Sequence, residues 1–211
     1  MPGTPEAARA WFAAAAGGFL ALLPGIDGDR LAAVGLGEWD VRSLLGHTCR
    51  AFSTIEAYLG ATGDGDAPPD ALLGTLDYFV LAAQGRADPA QVAQRGRDAG
   101  AALGDEPVAA ARGIAERGLA AVERTPDAAV LTTPLGPMAL VDYLPTRAFE
   151  LTVHGLDLAR ATGQEPPPPL ARAVPDCLAL VAAVLSTDDR GVAALLALTG
   201  REPLPAGFRV I

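Results

Sequence analysis

Residues 144–163 read LPTRAFELTVHGLDLARATG, and this stretch decides the fold. Apolar residues recur in it every three or four positions, the period of an α-helix buried along one side. The helix is expected from Leu140 or Pro145 through Thr162, with Gly163 ending it. Pro145 lacks an amide donor, so the helix either restarts there or kinks. Arg147, Glu150, His154 and Asp157 are spaced three, four and three apart and share one face. Four ionisable groups in register among Phe149, Leu151, Val153, Leu156 and Leu158 are costly to bury unless they pair or hold a cation. A solvated face carrying ordinary ion pairs is the plainer reading, but the flanking apolar residues leave no wide polar face.

The same helical period extends across most of the 211 residues. A first helix is expected from Thr4 to Leu23, with Thr4 as N-cap, Pro5 in the first turn and Gly25 beyond the end. Asp40 is a good N-cap for VRSLLGHTCRAFSTIEAYLG, in which Val41, Leu44, Leu45, Thr48, Phe52, Ile55 and Leu59 form a stripe. Further helices are expected at 70–84, 89–103, 107–124, 170–185 and 188–198. Strand signals are confined to 130–132 and a short terminal strand at 208–211. The run ATGDGDAPPD at 61–70 reads as a loop, because its acidic residues lack the spacing and closing Glu of a calcium loop. Pro166 to Pro169 read as a stiff linker. The expected architecture is mainly all-α: a helical bundle over 1–163, then a linker and small C-terminal appendage over 164–211.

Composition narrows the function. Sixteen basic residues, all Arg, face twenty-five acidic ones, a formal net charge of −9. Binding to a nucleic-acid backbone or an anionic membrane surface needs the opposite balance, so neither is expected as a partner. The uncharged stretch 10–26 is Ala-rich and interrupted by Gly and Pro, which suits a buried helix better than a membrane span. Cys49 and Cys177 match neither a disulfide framework nor a Cys-based zinc motif, and a cytoplasmic location is expected.

The chain has two histidines, His47 and His154. If His47 faces the Glu150–His154 pair, two imidazoles and a carboxylate meet. Three protein ligands leave coordination positions open for water or a thiol, as catalytic sites do. Asp157 is then placed to orient a ligand, Arg147 to pair with a carboxylate, and Arg50, one turn beyond His47, to meet an anionic cofactor or substrate. Trp39 either lines a pocket or serves as a hydrophobic staple before Asp40. Cys49 points to a different helix face and reads as a small core residue.

The segment Gly37–Phe52, with Glu38-Trp39-Asp40-Val41-Arg42 and Leu45-Gly46-His47, resembles the first motif of the DinB-like, mycothiol-dependent maleylpyruvate isomerase family. Residues 144–163 resemble its second motif. The resemblance covers residues 5–163 as architecture, and the tail LTGREPLPAGFRVI is similar to that of shorter relatives. It implies a four-helix bundle with a divalent metal, usually zinc, held by His47, Glu150 and His154; two imidazoles and a carboxylate also suit nickel or ferrous iron. It also implies mycothiol as thiol cosubstrate. The expected activity is an isomerase or S-transferase acting on a small electrophilic, carboxylate-bearing substrate. In that scheme the metal-bound thiolate adds to an activated double bond, rotation follows, and the thiolate leaves. Arg147, Asp157 and Arg50 are the catalytic candidates, and Arg50 and Trp39 the cofactor-binding ones. A metal-activated-water hydrolase or lyase and a non-catalytic metal- or ligand-binding bundle are the alternatives, and either a monomer or a homodimer fits.

Overall fold

The computed structural model describes residues 3–60, 71–84 and 88–210. Its helices are α1 (Pro5–Leu22), α2 (Gly28–Leu31), α3 (Val41–Gly60), α4 (Thr75–Gln84), α5 (Pro89–Ala101), α6 (Pro107–Arg124), α7 (Leu140–Ala161), α8 (Pro168–Leu185) and α9 (Arg190–Leu198). Two antiparallel hairpins accompany them, β1 (Val34–Leu36) with β2 (Trp39–Asp40) and β3 (Val130–Thr133) with β4 (Gly136–Ala139). The fold is a mainly all-α, DinB-like bundle.

The bundle closes as a ring in which α1 packs on α7, α7 on α3, α3 on α6 and α6 on α1. Phe12 and Phe19 of α1 meet Phe52 of α3 at ring distances of 6.0 and 5.5 Å, and all three are fully buried. Helix starts follow the local chemistry. The Thr4 hydroxyl accepts from the Ala7 amide at 3.3 Å, and the Asp40 carboxylate accepts from the Ser43 amide at 2.7 Å. Buried threonines satisfy themselves within their helices: Thr48, Thr152 and Thr162 each donate to the carbonyl four residues back at 2.7 Å.

Helix α8 joins the same core, with Leu170, Ala173, Leu180 and Val184 buried against α1 and α7. Leu170 is the plug: a Cβ on Gly18 of α1 would lie 2.6 Å from its Cβ, and one on Gly155 of α7 would lie 2.9 Å from its Cδ1. Small residues on both helices thus open the seam into which α8 settles. The stretches Pro5–Gly25 and Pro168–Leu185 are long and apolar enough to cross a membrane, and in this fold they pack against each other.

Several expectations are corrected. The helix α7 runs unbroken through Pro145 from Leu140, so there is no restart. The segment at 70–84 becomes helical only at Thr75, because Leu73 instead donates its amide to the Pro137 carbonyl at 2.9 Å, beside β4. The strand at 130–132 acquires a partner that the sequence hid in GPMA, in register Val130↔Ala139 through Thr133↔Gly136. The linker at 166–169 is shorter than expected, since Pro168 and Pro169 already form the first turn of α8, where a missing amide donor is harmless. The terminal strand does not form among residues 208–210. The carbonyls of Arg209 and Val210 are instead taken by the Arg190 guanidinium at 2.8 and 3.1 Å, so no ladder is built there. The loop at 61–70 lies outside the described residues.

Candidate metal centre

Neighbouring helices α3 and α7 bring His47, Glu150 and His154 together, their ligand atoms all within 4.8 Å of one another. The His154 Nε2–Glu150 Oε2 distance is 3.2 Å, and Nδ1 of the same ring meets Asp157 Oδ2 at 3.2 Å. One imidazole is therefore clamped between two carboxylates on successive turns of α7. The pair is shielded but reachable, with side-chain exposures of 14% for His154 and 29% for Glu150.

The two histidines differ in protonation. Burial and the nearby positive charge of His154 lower the pKa of His47 to about 4, so it is neutral. Burial also disfavours charge on His154, but the hydrogen bonds to Asp157 and Glu150 outweigh it and raise its pKa to about 9. Burial likewise opposes ionisation of Glu150, yet His154 and the charge of Arg147 hold its pKa down at about 2. The cluster thus holds a neutral imidazole, a carboxylate and an imidazolium whose proton a cation would displace.

This donor set fits a divalent metal. Bonds of about 2.0–2.2 Å in tetrahedral geometry put ligand atoms roughly 3.4 Å apart, close to the 3.2 Å between His154 Nε2 and Glu150 Oε2 and inside the 4.8 Å that spans all three residues. The Nδ1 atom of His47 is buried with no hydrogen-bond partner among the described residues, and neutral His47 keeps a lone pair free. Asp157 fixes the His154 ring from behind, the usual arrangement around a ligating histidine.

Trp39 is placed by the first hairpin. Gly37, at φ +58°, makes the turn that delivers Trp39 to the start of α3, and its ring lies 4.5 Å from that of His47. Its indole N–H donates to the Ala93 carbonyl of α5 at 2.9 Å. Gly96 provides the socket: a Cβ there would lie 2.3 Å from Trp39 Cε2. Sequence reasoning missed Gly96, because a lone glycine in an exposed-looking helix carries no signal until its partner is known.

Arg147 departs from expectation. It is buried at 8% exposure and makes no ion pair among the described residues; its guanidinium sits among tyrosines instead. Tyr78, from α4, was likewise not foreseen. Arg50 is half-buried on α3, close enough for its charge to help depress the pKa of His47. Cys49 and Cys177 are both buried and unbridged, and burial raises their thiols to about 12 and about 11. Two surface clefts, one of about 340 Å³ around Glu38, Arg42 and Arg97 and one of about 300 Å³ between α4 and α8, are lined by none of the three clustered residues.

Comparison with known families gives a match over residues 12–159 to the family described as mycothiol maleylpyruvate isomerase N-terminal domain. The chain belongs to this family. Membership supports a mycothiol-associated, isomerase-type function, and the matched span contains α3, α7 and all three clustered residues. No curated protein and no solved structure matches the chain.

Proposed function

We propose that the protein is a metal-dependent enzyme that uses mycothiol to isomerise, or to transfer sulfur to, a small electrophilic substrate. The observation that supports this most is the convergence of His47, Glu150 and His154 across α3 and α7, within a family named for mycothiol chemistry. These three residues would hold the divalent ion, zinc by donor preference. When bound, that ion supplies a Lewis acid that lowers the pKa of a coordinated thiol, so that thiolate exists at neutral pH.

The chain's own residues have distinct parts in this reading. Asp157 orients the His154 ring, and the Trp39 ring packs against that of His47. Arg147 helps keep Glu150 ionised. The protein's thiols are poor nucleophiles at neutral pH, because burial holds both protonated, so the reactive sulfur comes from outside.

Cobalt(II) titration tests the reading. The wild-type protein is expected to bind one cobalt ion and to develop a sulfur-to-cobalt absorption band when mycothiol is added. His47→Ala and His154→Ala should each lose the ion. A cobalt spectrum unchanged by thiol would favour the metal-activated-water alternative.

A further inference from the structure

The outer sides of α8 and α9 are apolar and uncovered. Five of the eight large apolar side chains exposed among the described residues lie there or on the tail that follows: Leu178, Val192, Leu195, Leu198 and Leu204, at 50–83% exposure. Single exposed leucines are ordinary on a protein surface, but a concentration of them is not. Val192, Leu195 and Leu198 recur every third residue and so share one side of α9. Of the nine residues of α9 only Ala194 is buried, and a helix this short does not hold its shape by propensity alone. Helix α9 follows α8 after a short turn and packs on it. At its end Gly200, at φ +72°, reverses the chain and the Arg201 amide donates to the Leu196 carbonyl at 2.8 Å, so Leu204 comes just beyond that reversal.

Charge is nearly absent from this part of the chain. Residues 177–187 and 191–200 contain no acidic or basic side chain. The turn between them carries Asp188, Asp189 and Arg190, and Arg190 pairs with Asp188 at 2.7 Å. The whole chain has a formal net charge of −9, so two copies meeting elsewhere would set like charges against each other. Contact through α8 and α9 avoids that repulsion. The five side chains expose roughly 600 Å² per copy, so a two-fold pair would bury about 1,200 Å², the lower end of specific interfaces.

We infer that the outer face of α8 and α9 is an interface between two copies of this chain related by a two-fold axis. An isologous contact needs only a self-complementary patch, and homodimer interfaces are the more apolar kind. A foreign partner would be selected by charges or hydrogen-bonding groups that this face lacks. A bilayer is disfavoured because surface-bound helices carry Lys or Arg along their polar side, which α9 lacks between its ends. The inner side of α8 is also locked in the core through Leu170, Ala173 and Leu180. The face lies outside the matched residues 12–159 and contains none of the three clustered residues, so this inference stands apart from the proposed function.

Light scattering coupled to gel filtration of the full-length protein tests it. At about 100 μM the wild-type mass should approach twice the 21.5 kDa of the chain. Sodium chloride at about 1 M should leave the dimer intact, because apolar contact is not screened. Leu195→Glu and Leu198→Glu should each weaken the dimer about 100-fold or more, since a charge would be buried without a partner. Both positions are exposed, so circular dichroism should show a native fold, and Leu198→Met should still dimerise. Val34→Glu, at an equally exposed position on β1, should leave the dimer unchanged. A wild-type protein that stays a single chain at this concentration would overturn the inference. So would a dimer that persists in folded Leu195→Glu and Leu198→Glu, or one that dissociates in Val34→Glu. Flotation of single chains with phosphatidylcholine vesicles, lost in Leu198→Glu, would assign the face to a lipid surface and overturn it as well.

Discussion

Helix α7 carries two adjacent stripes of opposite chemistry. Along one, Ala148, Leu151, Gly155 and Leu158 are buried, and Gly155 receives Leu170 of α8. Along the other run Arg147, Glu150, His154 and Asp157, joined to one another and to His47 by charge and hydrogen bonds. The first stripe stabilises the fold by removing apolar surface from water. The second places charges where they are costly, and its reward is chemical. Damage to the two stripes should therefore separate into loss of folding and loss of binding.

The largest effect on folding is expected on the apolar stripe. Leu170 is fully buried between Gly18 and Gly155, so Leu170→Ala should cost about 2–5 kcal/mol of unfolding free energy, read by denaturant titration. At temperatures where this variant is still folded, it should bind metal with near wild-type affinity. Weakened metal binding in the folded variant would mean that the stripes are not separable.

On the polar stripe, Glu150→Gln keeps the side-chain shape but removes the negative charge. Metal affinity should fall by about 100-fold or more, since even groups behind the ligands typically matter 10–100-fold, with a native circular dichroism spectrum. The Glu150 exchange would thus silence the site without unfolding the bundle, the reverse of Leu170→Ala.

Acidity sharpens the same contrast. His154 has its pKa raised to about 9, so the metal must displace its proton at neutral pH. Metal affinity should rise about ten-fold per pH unit from pH 7 toward 9 and flatten above, with one proton released per ion at pH 7. In the metal-free protein, the stability from this clamp is fully present below pH 6.5 and is lost as pH rises through about 9. The apolar stripe contributes no such pH dependence. Calorimetry in buffers of different ionisation enthalpy measures the proton count, and a count of zero would contradict the clamp.

The smallest effect is expected at Cys49, which is buried two residues from His47 and carries a thiol raised to about 12. Cys49→Ala should leave metal affinity and mycothiol-dependent turnover within about two-fold, with a stability loss of roughly 1 kcal/mol. An inactive but folded, metal-bound Cys49→Ala would place the nucleophile on the protein.

The polar stripe was readable in advance because its members sit three and four apart on one helix, and helical geometry alone aligns them. Pairing it with His47 took the family resemblance, since periodicity does not say which helices touch. Asp40 and Thr4 were legible as caps because capping is local. Other contacts were not legible for the opposite reason. The Tyr78–Arg147 contact joins residues 69 positions apart, and the Trp39 socket at Gly96 spans two elements. The strand GPMA has little β propensity and forms because β3 lies beside it. The tail at 208–210 has strand-like residues, but Arg190 takes its carbonyls first.

The central claim is that α3 and α7 together hold one metal ion. A crystal structure of the zinc-loaded protein, with the ion identified by anomalous scattering, tests it most directly. A single ion bound by His47, Glu150 and His154, with metal–nitrogen distances of about 2.0–2.1 Å and Asp157 still on the far side of the His154 ring, is the predicted result. An ion bound elsewhere, or His47 turned away from the Glu150–His154 pair under saturating zinc, would contradict it.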